Sequence, residues 1–366
     1  LARLHWRQYH PTSISNRAMK IGLATSGLWR LRHAVALMSD ATALRRAPLG
    51  WRVDAIAGWG HKPTAAKARD AARQIGIPYI AFEDGFLRSV QPGDSELPVG
   101  MVMDRTGIYY DASQPSDMEA CINRRRTVGG DAEALRAMDD LRASRLSKYN
   151  HAVIDDLTGL GLQSADRQDR VLVIDQTAGD ASIVGAGAGS DTFDTMLRTA
   201  VAENPHAEFL LRVHPETMLG RKAGNFSAGR LESLAQRDGI LGRCQSEGRL
   251  RLTPEPVNPW ALLDGCAKVY CVSSQLGFEA VLAGCEVHCF GMPFYGGWGI
   301  TRDRLVPPPS RRGAASPEAV FAGAYIDYSY YVDHASRSLL NIHEAIEFLS
   351  QRRRSLNMDT ARGGGE

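Results

Sequence analysis

The sequence has no apolar run approaching the roughly 18 residues that a membrane-crossing helix requires. Its opening residues, LARLHWRQYH, contain no apolar core of a secretory signal. Cysteine is scarce. The six residues, at 121, 244, 266, 271, 285 and 289, include no CxxC pair, so the spacing of a zinc ribbon or a dithiol redox site is missing, and buried free thiols in a reducing compartment are expected. Charge of one sign is also lacking. Forty-three Lys and Arg against 41 Asp and Glu give a formal charge of +2, without the basic excess of a nucleic-acid binder. These absences predict a soluble cytoplasmic protein, with contact at the inner face of the inner membrane left open. The basic runs 124–126 and 352–354 read as solvated helix faces, or alternatively as contacts to anionic lipid headgroups.

What is present is a chain of 366 residues, 44% hydrophobic, long enough for two domains. Short β-rich runs alternate with helical stretches. KIGLA (20–24), RVDAIAGWG (52–60) and PYIAF (78–82) read as strands. LWRLRHAVALM and TAAKARDAARQIG read as helices, the second closed by Gly76. A charged helical stretch over 116–147, broken at Gly129-Gly130, closes the first half. A second series has strands VLVID (171–175), EFLLRV (208–213), LRL (250–252), KVYCV (268–272) and EVHCF (286–290). Helices are expected after Asp191 and near 258–264 and 275–284. The alternation predicts two doubly wound α/β halves with parallel sheets. The expected domains are 1–150 and 151–320, with a helical tail, 321–366, packing back on the first. Ligands of such sheets bind beyond the carboxyl ends of the strands.

The chemistry-bearing residues fall there. Glu83-Asp84-Gly85 follows PYIAF, and two adjacent carboxylates suit a general acid or base; a capped turn with an Arg88 ion pair is the plainer reading. Asp175 ends the VLVID strand, followed by Gln176 and Thr177, and is a candidate nucleophile or a loop anchor. In Arg212-Val213-His214-Pro215, the proline holds His214 extended, for hydrogen bonding to a leaving phosphate or its protonation. Ser273-Ser274 opens a helix and offers hydroxyls and free N–H groups to a phosphate, with Glu279 one turn on as a ribose partner. The run 290–299, with Gly291 and Pro293, forms either a wall for a base or sugar or a rigid structural loop. The glycine-rich run 184–189 lacks the Lys-Ser/Thr of a P-loop and reads as a mobile linker. Together these place acids in the first half opposite a histidine and a hydroxyl pair in the second, around one phosphate-bearing donor.

Several segments resemble the KpsC-type capsule polysaccharide β-Kdo transferases: GWGHKP (58–63), FEDGFLRS (82–89), GIYYDA (107–112), LSKYN (146–150), VIDQTAGDASI (173–183), RVHPE (212–216), VSSQLGFEAVLAG (272–284) and CFGMPFYGGWG (289–299). The trio EDG, HP and SS is also similar to the motif set of bacterial sialyltransferases. The resemblance implies a GT-B fold, a CMP-β-Kdo donor, a glycolipid or Kdo-terminated acceptor, retention at the anomeric carbon, and no metal or other cofactor. Other capsule-assembly proteins are possible partners. It makes Asp175 the nucleophile and Glu83, or else Asp84, the acid/base. His214, Ser273 and Ser274 hold the phosphate, and Glu279 the ribose. KpsC-type proteins usually join two transferase modules, and this chain has the length of one. An inverting CMP-sugar transferase, a non-catalytic capsule-assembly scaffold and a sugar epimerase are the rival readings.

Overall fold

The computed structural model describes residues 19–39, 41–46, 52–127, 131–152, 154–162 and 167–363. The 129–130 helix break expected from sequence lies outside them.

The first sheet is built outward from β1 (Lys20–Leu23), which is flanked by β2 (Ala43–Arg46) and β3 (Ala55–Trp59); β4 (Tyr79–Asp84) follows, all four parallel. The helix Ala66–Ile75 makes the crossover between β3 and β4. It ends as expected at Gly76, whose φ of +74° is the left-handed conformation a helix stop favours. The sheet then departs from the all-parallel expectation, because β5 (Gly100–Asp104) runs antiparallel to β4. The connection between them carries only the 3₁₀ turn Gly93–Ser95 and no crossover helix.

The second sheet is wholly parallel. Its strands β6 (Arg170–Ile174), β7 (Glu208–Arg212), β8 (Leu250–Thr253), β9 (Lys268–Cys271), β10 (Glu286–Cys289) and β11 (Arg302–Asp303) lie in the order β11-β10-β9-β6-β7-β8. The chain leaves β6 toward β7 on one side and β9 on the other, so a crevice opens at the carboxyl ends of β6 and β9. In the first sheet the same reversal falls at β1.

The tail is not purely helical. After helix Pro317–Phe321 and a π-helical turn, β12 (Ser329–Asp333) pairs with β5 and β13 (Ser338–Leu340) with β12, completing the first sheet. Helical spacing hid this hairpin, although SYYVD is rich in strand-forming aromatics. The last helix, Ile342–Gly363, begins beside it. One apolar cluster joins the halves beneath the crevice, with Phe86, Ile108 and Leu146 from the first packed with Leu172, Phe278 and Trp298 from the second.

Each basic run is part solvated face and part tertiary anchor: Arg126, Arg352 and Arg354 are exposed as expected, whereas Arg125 and Arg353 are held inward. Arg125 forks onto Asp327 at 2.6 and 2.8 Å and reaches Asp131 at 2.6 Å. Arg352 pairs with Glu96 at 2.8 Å, and Arg353 donates to the carbonyls of Ser144 and Arg145. Neither Arg125 nor Arg353 is left available to a lipid surface. A deeper tie is Arg312, which donates to Glu119 at 2.7 Å and to the carbonyls of Pro293 and Gly296. Arg312→Ala leaves the buried Glu119 with Arg311 alone and is expected to lower stability by about 3 kcal/mol, read as a shifted denaturation midpoint.

The run 184–189 is likewise no free linker. Val184 and Gly185 end the helix Ala181–Gly185. The Gly185 carbonyl accepts from Ala112 N at 2.8 Å, and a Cβ on Gly185 would stand 2.4 Å from the Tyr110 carbonyl oxygen. The glycine permits backbone-to-backbone approach between the halves. Among the described residues all six cysteines are free, with Cys285 half-buried and the others buried. No described helix is long and apolar enough to cross a membrane.

Candidate active site

The carboxyl ends of both sheets face one cleft of about 990 Å³. From the first sheet come Thr25 after β1, Trp59 at the end of β3 and Lys62 after it, and Glu83 and Asp84 at the end of β4. From the second come Gln176 after β6, His214 after β7 and Ser273 and Ser274 after β9. The two strand ends at the second crevice are strapped together: Ser273 N donates to Gln176 Oε1 at 2.9 Å, and Gln176 Nε2 donates to the Ser273 hydroxyl at 3.1 Å. Gln176 thus fixes the serine turn.

Glu83 is 5% exposed. Its Oε1 accepts from Lys62 Nζ at 3.3 Å and from Asp84 N at 3.2 Å, while Oε2 is buried without a partner. Burial pushes its pKa up, against the pull of Lys62. A carboxyl so placed exchanges a proton readily with a group entering the cleft. Asp84 beside it is engaged by Arg88 at 3.0 Å, the ion pair foreseen for that turn.

Asp175 is not in the cleft. It is 2% exposed and turns under the loop 224–226. Oδ1 accepts from Gln176 N at 2.8 Å and Asn225 N at 3.0 Å, and Oδ2 from Phe226 N at 3.1 Å. The loop closes so tightly that a Cβ on Gly224 would stand 2.3 Å from Oδ2. The nucleophile expectation is corrected: Asp175 is a loop anchor. Burial is the largest influence on its pKa, which is raised.

A carboxylate of the same loop that does face the cleft is Asp180, five residues on. Its Oδ1 caps the helix Ala181–Gly185 through Ser182 N at 2.8 Å, and its Oδ2 meets the Thr177 hydroxyl at 3.5 Å. Burial alone would raise its pKa, but the hydrogen bonds of Ser182 and the charges of Lys148 and Lys62 outweigh it and hold Asp180 below its ordinary value. Asp180 is therefore an ionised carboxylate and Glu83 an acid of raised pKa in one cleft. Paired groups pushed in opposite directions mark a division of labour. The sequence signal was the second acid in DQTAGD, masked by the more apolar strand leading into Asp175.

His214 Nδ1 accepts from Glu216 N at 3.1 Å, which leaves Nε2 as the protonated nitrogen of a neutral ring. Burial and then the nearby Arg212 push its pKa down to about 3. In the free protein His214 is thus a neutral donor, which suits the hydrogen-bonding form of the expectation more than protonation of the phosphate. Pro215 opens the short helix Pro215–Met218. The His214 imidazole of the free protein is expected to show no titration between pH 5 and 8, which NMR of its ring signals across that range will check; a midpoint near 6.5 contradicts it.

Glu279 does not stand free for a ribose. The Ser147 hydroxyl lies 2.8 Å from both carboxylate oxygens, and Gln275 Nε2 donates to Oε1 at 3.1 Å. Burial pushes its pKa up to about 7. Because Ser147 belongs to the first half, Glu279 acts as a tie across the floor of the cleft. Gly291 is absent from the cleft lining: its Cβ position meets Ala186, and it packs the 290–299 loop onto the glycine-rich run. In that loop Pro293 and Phe294 reach the cleft while Trp298 is fully buried, so the loop is mainly structural. Two cations of the cleft carried no role in the sequence reading. Arg212, at the end of β7, has a buried Nε without a partner. Lys148 enters from the LSKYN segment. Among the described residues no group of three or more His, Cys, Asp or Glu is arranged to hold a metal ion.

Two α/β halves whose strand carboxyl ends meet across a cleft define a GT-B-like architecture. The chain belongs to the capsule polysaccharide biosynthesis protein family, whose model matches residues 54–334. It is 38% identical over 338 residues to the capsule polysaccharide modification protein LipA of Neisseria meningitidis serogroup B, covering 90% of this chain and 45% of LipA. It is 37% identical over 309 residues to the lipopolysaccharide-processing protein LpsZ of Rhizobium meliloti, 83% of this chain and 66% of LpsZ. The chain thus spans under half the length of LipA. Among solved structures, the β-Kdo 2,4 transferase of Thermosulfurimonas dismutans KpsC superposes with a TM-score of 0.78 at 36% identity, covering 92% of this chain and 99% of that one. The β-Kdo 2,7 transferase of the same KpsC shares the fold, at a TM-score of 0.64 and 21% identity.

Proposed function

We propose that the protein transfers Kdo from CMP-β-Kdo to a glycolipid or oligosaccharide acceptor, with retention, in capsule or surface-glycan synthesis. The observation that carries this reading is the placement of two carboxyl groups, Asp180 and Glu83, in one cleft, opposite the strapped serine turn. The likeness to a β-Kdo transferase at 36% identity supports the choice of sugar.

In the first step an Asp180 oxygen bonds to the anomeric carbon as the bond from that carbon to the phosphate oxygen breaks. The electron pair leaves with CMP, whose charge is met by Ser273, Ser274, Arg212 and the Nε2–H of His214. In the second step the acceptor hydroxyl bonds to the same carbon, Asp180 is released as a carboxylate, and Glu83 takes the hydroxyl proton. The chain's own cations and donors supply the charge stabilisation, so the reaction is proposed to need no metal. The reaction belongs on the cytoplasmic side, where nucleotide-activated sugars are made, with the acceptor presented at a membrane surface.

The test is incubation of the protein with CMP-Kdo and a panel of Kdo-bearing and lipid acceptors, with NMR of the product's anomeric configuration. A β-linked product is expected. An α-linked product would replace double displacement by a single inverting step in which Glu83 acts only as base.

A further inference from the structure

The segment 147–150 is clamped on both sides of Lys148. The Lys148 carbonyl accepts from Arg88 N and Ser89 N at 3.2 and 3.3 Å. Asn150 N donates to the Val90 carbonyl, and its side-chain amide donates to the carbonyls of Ser89 and Ser147. Ser147 in turn is tied to Glu279. A lysine stem on such a fixed backbone is held to a small region of the cleft.

The Lys148 ammonium makes no ion pair within 4.0 Å among the described residues, although Glu83, Asp84 and Asp180 all face the same cleft. Its charge acts on each member of the constellation: it lowers the pKa of Glu83, Asp180 and His214. A positive charge near all three yet bonded to none is placed for an anion that the free protein does not contain.

The proposed donor carries two anions on one carbon, the departing phosphate and a carboxylate. The second half supplies the donors matched to phosphate: Ser273, Ser274, His214 and Arg212. On the first half Lys148 faces the cleft without a carboxylate partner among the described residues, its Nζ 5.9 Å from the centre of the Tyr149 ring. We propose that Lys148 is the specificity-determining residue that binds the carboxylate of the donor sugar, restricting the enzyme to 2-keto acid sugars. This assignment rests on the functional reading above. Lys148 also shields Asp180 from that carboxylate, since an anionic nucleophile otherwise approaches an anionic sugar.

The experiment compares wild type, Lys148→Met and Lys148→Arg for kcat and KM with CMP-Kdo and for inhibition by CMP alone. CMP lacks the carboxylate and keeps the phosphate. Lys148→Met is expected to lower kcat/KM for CMP-Kdo by about 100-fold or more while the CMP inhibition constant moves less than about threefold. Lys148→Arg restores part of the loss, and unchanged CMP inhibition reports a folded cleft. Equal weakening of CMP and CMP-Kdo would assign Lys148 to the phosphate, and an unchanged kcat/KM would leave it no role; either overturns the proposal. A wild-type protein that binds CMP but transfers no Kdo overturns the functional reading, an outcome separate from any Lys148 result.

Discussion

Asp180→Ala is expected to abolish transfer, with kcat falling by about 10⁴-fold or more, while CMP binding stays within about threefold of wild type. The Asp180 carboxyl faces the cleft with its pKa held low and no cation among the described residues bonded to it, and its Oδ2 meets the Thr177 hydroxyl at the long distance of 3.5 Å. Loss of the Ser182 cap costs about 1 kcal/mol and leaves the fold intact. Asp175→Asn is the paired control, with the opposite pattern. It sets an amide against one of three backbone N–H groups that the carboxylate now satisfies, so stability falls by about 2 kcal/mol while turnover survives. Denaturation midpoints and steady-state rates on both variants separate the roles. An active Asp180→Ala enzyme removes Asp180 as nucleophile.

Glu83→Gln is expected to lower turnover by about 10²- to 10⁴-fold with a small change in donor KM. The pH profile should change with it. A general base works deprotonated, and burial raises the Glu83 pKa above its ordinary value of 4.5. The wild-type rate therefore declines as pH falls through that raised pKa, at higher pH than an exposed glutamate would give. In Glu83→Gln this acid limb disappears. A limb that persists in the variant assigns the titration to another group, with Glu279, whose pKa stands at about 7, the first to examine.

Most of the scaffold was readable because alternating periodicity and strand-end residues are local signals. Strands β1, β3, β4 and β6 to β10 fall where apolar runs predicted them, and Glu83, Ser273, Ser274 and His214 meet in the cleft. The failures have a common cause. β5 and the β12–β13 hairpin are fixed by pairing with distant strands, which local spacing does not reveal. The orientation of Asp175 depends on the loop 224–226, some 50 residues away, closing over it. Glu279 stands near a helix start and lines the cleft as expected, but its bond to Ser147 from the other half had no local signal. Arg125 and Arg353 looked like surface charge because their carboxylate and carbonyl partners lie far along the chain.

The most direct measurement is intact-protein and peptide mass spectrometry of the Glu83→Gln variant mixed with CMP-Kdo without acceptor. The account predicts one Kdo residue bound covalently, on a peptide in which Asp180 is the modified side chain. Modification at Asp175, or a β-linked product formed at wild-type rate by Asp180→Ala, would contradict it.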